Sequence, residues 1–201
     1  MKILIDKKEI EIYYTEDDSL SKFIQRIINV LEKEGRVIDS IKINGEAINV
    51  NSGDSLHMID IIEFGTKKPN ILIVETLYEL DSYIDRFLEN VDLIIEAIDF
   101  GEYVDAVDIL LEGINGLEWI FNVLENAKEI LDMQENEMEL IFEKAYEIMM
   151  ALINALEEKN YPEIKRELSF NLCSLLMEVK DKIPFLSDLA MELEKKEIYS
   201  N

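Results

Sequence analysis

"PNILIVETLYELDSYIDRFLENVDLIIEAIDF", Pro69–Phe100, decides the fold. Ile73, Leu77, Leu80, Ile84, Phe87, Val91, Ile94 and Ile98 step by four and three without a break, which draws one apolar seam along a helix of about eight turns. Pro69 suits the first turn, where a missing N–H loses no helical bond, and Gly101 ends the run. The same stepping resumes from Tyr103 through Val107, Leu110, Ile114, Leu117, Phe121 and Leu124 to Leu131. A third helix is expected through Met138, Ile141, Ala145, Ile148, Leu152 and Ala155, with Phe142, Met149 and Leu156 as a second row. Asn160 and Pro162 mark the next turn, and a fourth helix carries Ile164, Leu168, Leu172, Leu175 and Val179. Pro184 should interrupt it, leaving Phe185, Leu186, Leu189 and Leu193 for a short closing helix. One amphipathic hairpin leaves its seam open, so two hairpins closing on each other give an antiparallel bundle of four to five helices.

A repetition runs through this region. "EAIDFGEYVDAVDILLEGINGL" at 96–117 is echoed by "NALEEKNYPEIKRELSFNLCSLL" at 154–176, which sets Ala97 on Ala155, Tyr103 on Tyr161, Leu110 on Leu168, Ile114 on Leu172 and Leu117 on Leu175. The pattern is consistent with a duplicated helical hairpin, although helical heptads also imitate repeats.

Upstream, the pattern changes from helical to alternating. "KILI" and "EIEIYY" read as strands joined at Asp6, Lys7 and Lys8; Asp17, Asp18 and Ser19 offer N-cap oxygens for a helix with an apolar stripe at Leu20, Phe23, Ile24, Ile27 and Leu31. Gly35 can end that helix. "IDSIKI" and "EAINV" flank Asn44-Gly45, a pair suited to a type I′ turn, and "LHMIDIIEF" follows turn residues 51–54 as a last strand. The expected fold is α+β: a small β-grasp-like domain over 1–66 and an acidic helical bundle over 69–199.

The net charge is -24, and it is unevenly spread. Residues 1–68 hold 10 basic and 13 acidic side chains, whereas 69–201 hold 10 and 31; between 69 and 143, Arg86 and Lys128 face 20 carboxylates. Such a field repels nucleic acid and anionic lipid and favours basic partners. "ILI" near the start is cut off by Asp6, Lys7 and Lys8, and no apolar run approaches the roughly 20 residues that cross a bilayer. With one cysteine, Cys173, no internal disulfide can form, which fits a cytoplasmic location. The composition, rich in Glu, Lys and Ile, reads as bacterial or archaeal.

No set of residues announces chemistry. A di-iron bundle needs inward histidines, and the single histidine, His57, lies outside the helical region; no metal or other cofactor is expected. Cys173 lies near the apolar seam without a histidine partner and reads as a small core residue. Gly113 and Gly116 stand out, because each glycine inside a helix costs about 1 kcal/mol relative to alanine. Either a neighbouring helix comes close there or the helix kinks, or the pair opens a groove for a partner helix beside Trp119, the only tryptophan. The expected partner-binding residues are Gly113, Gly116 and Trp119, together with Glu96, Asp99, Glu102 and Tyr103 at the acidic turn. The expected function is a non-enzymatic adaptor or chaperone-like protein that binds a basic or amphipathic segment; the alternative is a structural homo-oligomer.

Ala97, Ile98, Gly101, Glu102, Tyr103 and Ala106 resemble the helix-turn-helix signature of flagellin export chaperones, small acidic bundles. "TKKPNILIVETL" at 66–77 and "GLEW" at 116–119 resemble an uncharacterised bacterial family in which a β-rich domain leads into an acidic helical region. That resemblance covers most of the chain and implies no activity.

Overall fold

A computed structural model describes residues 1–14, 19–47, 56, 59–133 and 136–199. The expected cap residues Asp17 and Asp18, turn residues 51–54 and His57 lie outside the described residues. The chain divides into two compact units, Met1–Leu72 and Ile73–Asn201.

In the first unit, strands β1 (Lys2–Ile5) and β2 (Lys8–Glu9), helix α1 (Leu20–Lys33) and strands β3 (Val37–Ile43), β4 (Glu46–Ala47) and β5 (Ile61–Lys67) form a sheet of order β2-β1-β5-β3-β4. The neighbours β1 and β5 run parallel, and the other pairs are antiparallel, the arrangement of a β-grasp. Ser19 caps α1, its hydroxyl accepting from the Lys22 N–H. The stripe Leu20, Phe23, Ile24, Ile27 and Leu31 is buried against Ile3, Ile41, Ile62 and Phe64. Both hairpins turn on two residues of positive φ, Asp6-Lys7 and Asn44-Gly45, which is the type I′ geometry that matches strand twist. Asp6 is held further. Its carboxylate accepts from the Thr66 N–H at 2.9 Å and hydroxyl at 2.7 Å and from Arg36 at 3.0 Å, tying the first turn to the end of β5.

Two strand expectations need correction. The run 9–14 does not continue as a strand: β2 ends at Glu9, and after the Ile10 N–H meets the Ile3 carbonyl at 3.0 Å the chain leaves the ladder. Ile10, Ile12 and Tyr14 still alternate onto the core, so the period-two signal records burial without pairing. The last strand starts later than "LHMIDIIEF" implied and runs on to Lys67, where Thr66 is buried by the Asp6 and Arg36 contacts. The expected strand "EAINV" supplies β4 with Glu46 and Ala47, and 48–50 lie outside the described residues.

The second unit is helical: α2 (Pro69–Phe100), α3 (Tyr103–Ile130), α4 (Asn136–Glu157), α5 (Tyr161–Arg166), a π-helical segment (Glu167–Leu172) and α6 (Cys173–Tyr199). The last three are one continuous helix. All eight seam positions of α2 are buried, in a core shared with Leu117, Ile120 and Leu124 of α3, Ile141 and Leu152 of α4 and Leu168, Leu176 and Val179 beyond. Side chains close the helices into a ring: Tyr83 on Trp119 joins α2 to α3, Phe121 on Phe142 joins α3 to α4, Lys144 to Glu178 joins α4 to α6, and Lys180 to Asp85 joins α6 back to α2.

Pro184 does not interrupt the last helix, contrary to expectation. It sits on the exposed side, while Ile183, Leu186 and Ala190 on either side of it are buried. Burying a large apolar side chain contributes about 1.5–3 kcal/mol, so this face outweighs the ~3 kcal/mol a mid-helix proline costs.

The two hairpins repeat in detail. After α2 the Gly101 N–H bonds the Ile98 carbonyl at 3.1 Å and the Glu102 N–H bonds that of Ala97 at 2.8 Å; after α4 the Lys159 and Asn160 N–H groups bond Leu156 at 3.1 Å and Ala155 at 2.8 Å. Both are Schellman ends with a positive φ at the pivot, 78° at Gly101 and 54° at Lys159. The tyrosines that follow, Tyr103 and Tyr161, stack on each other at 3.9 Å and 8°.

Past that point the single alignment fails. Ala106 and Leu110 correspond to Ile164 and Leu168, and Leu117 still has a buried counterpart in Leu175, but the buried residues beyond, Ile120, Leu124 and Ala127, correspond to Val179, Ile183 and Leu186, one residue later. The expected pairing of Leu117 with Leu175 joins two buried residues, and the register of the core has moved by one at the next turn. The π segment holds the extra residue: it absorbs an insertion by widening locally, and both flanking faces stay in the core.

Candidate functional site

The seven residues singled out from sequence fall in two places. Glu96, Asp99, Glu102 and Tyr103 surround the α2–α3 turn; all four are exposed, and Asp99 accepts from Lys165 of α5 at 2.5 Å. Phe100 and Val104 beside them are 79% and 74% exposed. Gly113, Gly116 and Trp119 lie ten to sixteen residues along α3, which at 1.5 Å per residue is roughly 15–24 Å away. Helix geometry alone keeps the two groups apart.

At the second place the glycines make room for α2. A Cβ at Gly116 would overlap the Tyr83 hydroxyl and stand 3.2 Å from Tyr83 Cζ, whereas one at Gly113 would meet Phe87 at an ordinary 3.5 Å. Tyr83 packs its ring edge-on to Trp119 at 4.8 Å and carries the Arg86 guanidinium 5.6 Å from its centre. Trp119, Tyr83, Arg86, Tyr78, Glu79 and Ser82 line a shallow groove of about 390 Å³.

A larger groove, about 530 Å³, runs between α4 and the π segment. Ile148, Ala151 and Leu175 are its apolar lining, Phe170 stands at it with 69% of its surface exposed, and Lys144, Glu147, Glu167, Asn171, Ser174 and Glu178 supply polar groups. Glu167 is only 3% exposed. A buried carboxylate must be paired, and this one accepts from Arg166 and from Asn171, each at 2.6 Å. Arg166 also holds Glu163 at 2.5 Å; the hydrogen bond and the guanidinium charge keep the Glu163 carboxyl below its ordinary range, and Glu163 and Glu167 together raise Arg166. Lys144 and Glu178 pair at 2.7 Å. Glu147 is exposed and makes no ion pair or hydrogen bond among the described residues.

Sequence reasoning passed over this groove. Its signal was the apolar spacing: Leu168 to Val179 is eleven residues where Leu110 to Ile120 is ten. Cys173 is half-buried at the end of the π segment; burial pushes its thiol up, and the Asp92 charge pushes it further, so the reactive thiolate is disfavoured. Among the described residues no three His, Cys, Asp or Glu side chains converge as metal ligands, and no helix is long and apolar enough to cross a membrane.

Residues 75–182 match the family model described as a domain of unknown function, DUF8042. The chain belongs to this family. The DUF8042 match starts in the second turn of α2 and ends within α6, so it takes in both hairpins, the π segment and every residue of the larger groove. No curated protein and no solved structure matches the chain.

Proposed function

We propose that the helical unit is a cytoplasmic protein-binding module, a non-enzymatic adaptor or chaperone-like protein that holds a basic or amphipathic segment of a partner. The observation that supports this is the pairing of large exposed apolar side chains with a carboxylate shell. Phe170, Tyr146, Phe185, Leu93 and Leu111 are 69%, 68%, 58%, 51% and 51% exposed on a unit carrying three times as many acids as bases. Carboxylates steer a basic segment in and select it, while apolar contacts hold it. The chaperone-like part of the reading draws on the turn residues around Gly101 and Tyr103.

Immobilised full-length protein exposed to source lysate at low and high salt tests the proposal. It predicts basic proteins retained at low salt and released as salt rises; a surface that retains nothing at either salt removes its support.

A second reading, a structural homo-oligomer, draws on Tyr146, Met150 and Ile153. These fall at successive turns of α4 and form one exposed stripe suited to self-pairing. Light scattering across a concentration series separates the two, since self-pairing gives a dimer mass where the adaptor stays a monomer.

A further inference from the structure

We infer that the groove between α4 and the π segment is the docking site for that partner, and that it takes an amphipathic helix presenting an arginine or lysine beside an aliphatic residue. The inference rests on the protein-binding reading above. The one-residue insertion distinguishes the second hairpin from the first, and π segments of this kind cluster at functional sites. Here the insertion opens a trough beside small residues, Ala151 on α4 and Ser174 on α6, and sets Phe170 at its lip with its ring toward solvent.

Charge complementarity chooses the occupant. Three carboxylates, Glu147, Glu167 and Glu178, face one ammonium, Lys144, in the lining. Lys144 is already committed to Glu178, and Glu167 shares Arg166 with Glu163, so Glu147 remains without an ionic partner among the described residues. An incoming guanidinium or ammonium meets Glu147 and Glu178 while its methylene stem lies on the Phe170 ring, and an apolar neighbour one turn away covers Ile148 and Ala151. An acidic or uniformly apolar segment gains only half of this.

The test uses full-length protein and a fluorescent amphipathic peptide with leucines on one face and arginines on the other, beside a counterpart with glutamates for the arginines. Binding is read by anisotropy. The arginine peptide should bind, weakening as salt rises, and the glutamate peptide should not. Phe170→Ala and the groove-filling Ala151→Phe should each weaken binding about tenfold or more, as for a central apolar anchor. Glu147→Gln, a surface change that leaves the fold alone, should weaken it about two- to fivefold. Trp119→Ala, on the other groove, should leave it unchanged. If the arginine peptide binds but ignores Phe170→Ala, Ala151→Phe and Glu147→Gln, the groove is the wrong site while the protein-binding reading stands. If neither peptide binds, or both bind alike, both readings fall.

Discussion

Removing one residue from a helix should cost very different amounts in the two hairpins. Phe170 and Leu111 are both exposed and both lie between corresponding core residues, Leu168 and Val179 in one case and Leu110 and Ile120 in the other. Deleting Leu111 turns everything after it by about 100°, and α3 has no π segment to absorb the turn. Leu117, Ile120, Val123 and Leu124, none more than 5% exposed, then leave the core. At roughly 1.5–3 kcal/mol for each side chain the loss is about 6–12 kcal/mol, which is comparable to the ~5–15 kcal/mol that holds a typical domain together. Deleting Phe170 instead removes the extra residue, lets the π segment become α-helix and returns the second hairpin to the spacing of the first. Its stability should stay within about 1 kcal/mol of the parent, the range of changes that leave the core in place. Urea denaturation followed by circular dichroism reads both variants. If the Phe170 deletion unfolds the helical unit as the Leu111 deletion does, the π segment is not an absorbed insertion.

The glycines should respond with opposite signs. Gly113→Ala meets only an ordinary contact with Phe87 and should gain up to about 1 kcal/mol from helix propensity, while Gly116→Ala collides with Tyr83 and should lose about 1–3 kcal/mol; adding Tyr83→Phe should recover part of that loss, and denaturation midpoints of the three variants decide it. The Tyr103–Tyr161 stack should show a coupling of about 0.5–1.5 kcal/mol in a double-mutant cycle to leucine, and no coupling would mean the rings do not stack in solution. Burial raises the Asp6 carboxyl, but the Thr66 hydrogen bonds and the Arg36 charge outweigh it and leave the group below its usual range. Asp6 therefore adds stability that is complete above the unfolded value, about pH 4, and is lost as pH falls through the lower folded value. In acid titrations of the sheet unit's unfolding, Asp6→Asn should flatten that limb; an unchanged acid limb would contradict the Asp6 contacts.

Much of this fold was legible because local rules and tertiary packing agree. The unbroken seam of α2, the Asn44-Gly45 turn, the Ser19 cap and the Gly101 stop each rest on chemistry confined to a few residues. What was not legible depends on partners distant in the chain. Nothing local says that 10–14 pack on the core without pairing, or that the buried faces around Pro184 carry the helix through it. The extra residue after Leu168 hides because Leu172, Leu175 and Leu176 offer an apolar side chain in either register, so a continuous α-helix reads equally well. Gly116 and Trp119, by contrast, stand out in the sequence because a mid-helix glycine and a single tryptophan are visible one residue at a time. The space beside Gly116 holds the chain's own Tyr83, and the larger groove is built from residues that look ordinary one at a time.

Amide NMR of the full-length protein titrated with the arginine–leucine peptide tests most directly whether the inserted residue makes the binding surface. Shifts should concentrate at Glu147, Ala151, Phe170, Asn171 and Ser174, and should disappear in the folded Phe170 deletion. Shifts centred on Tyr83 and Trp119, or a Phe170 deletion that binds as the parent does, would contradict the account.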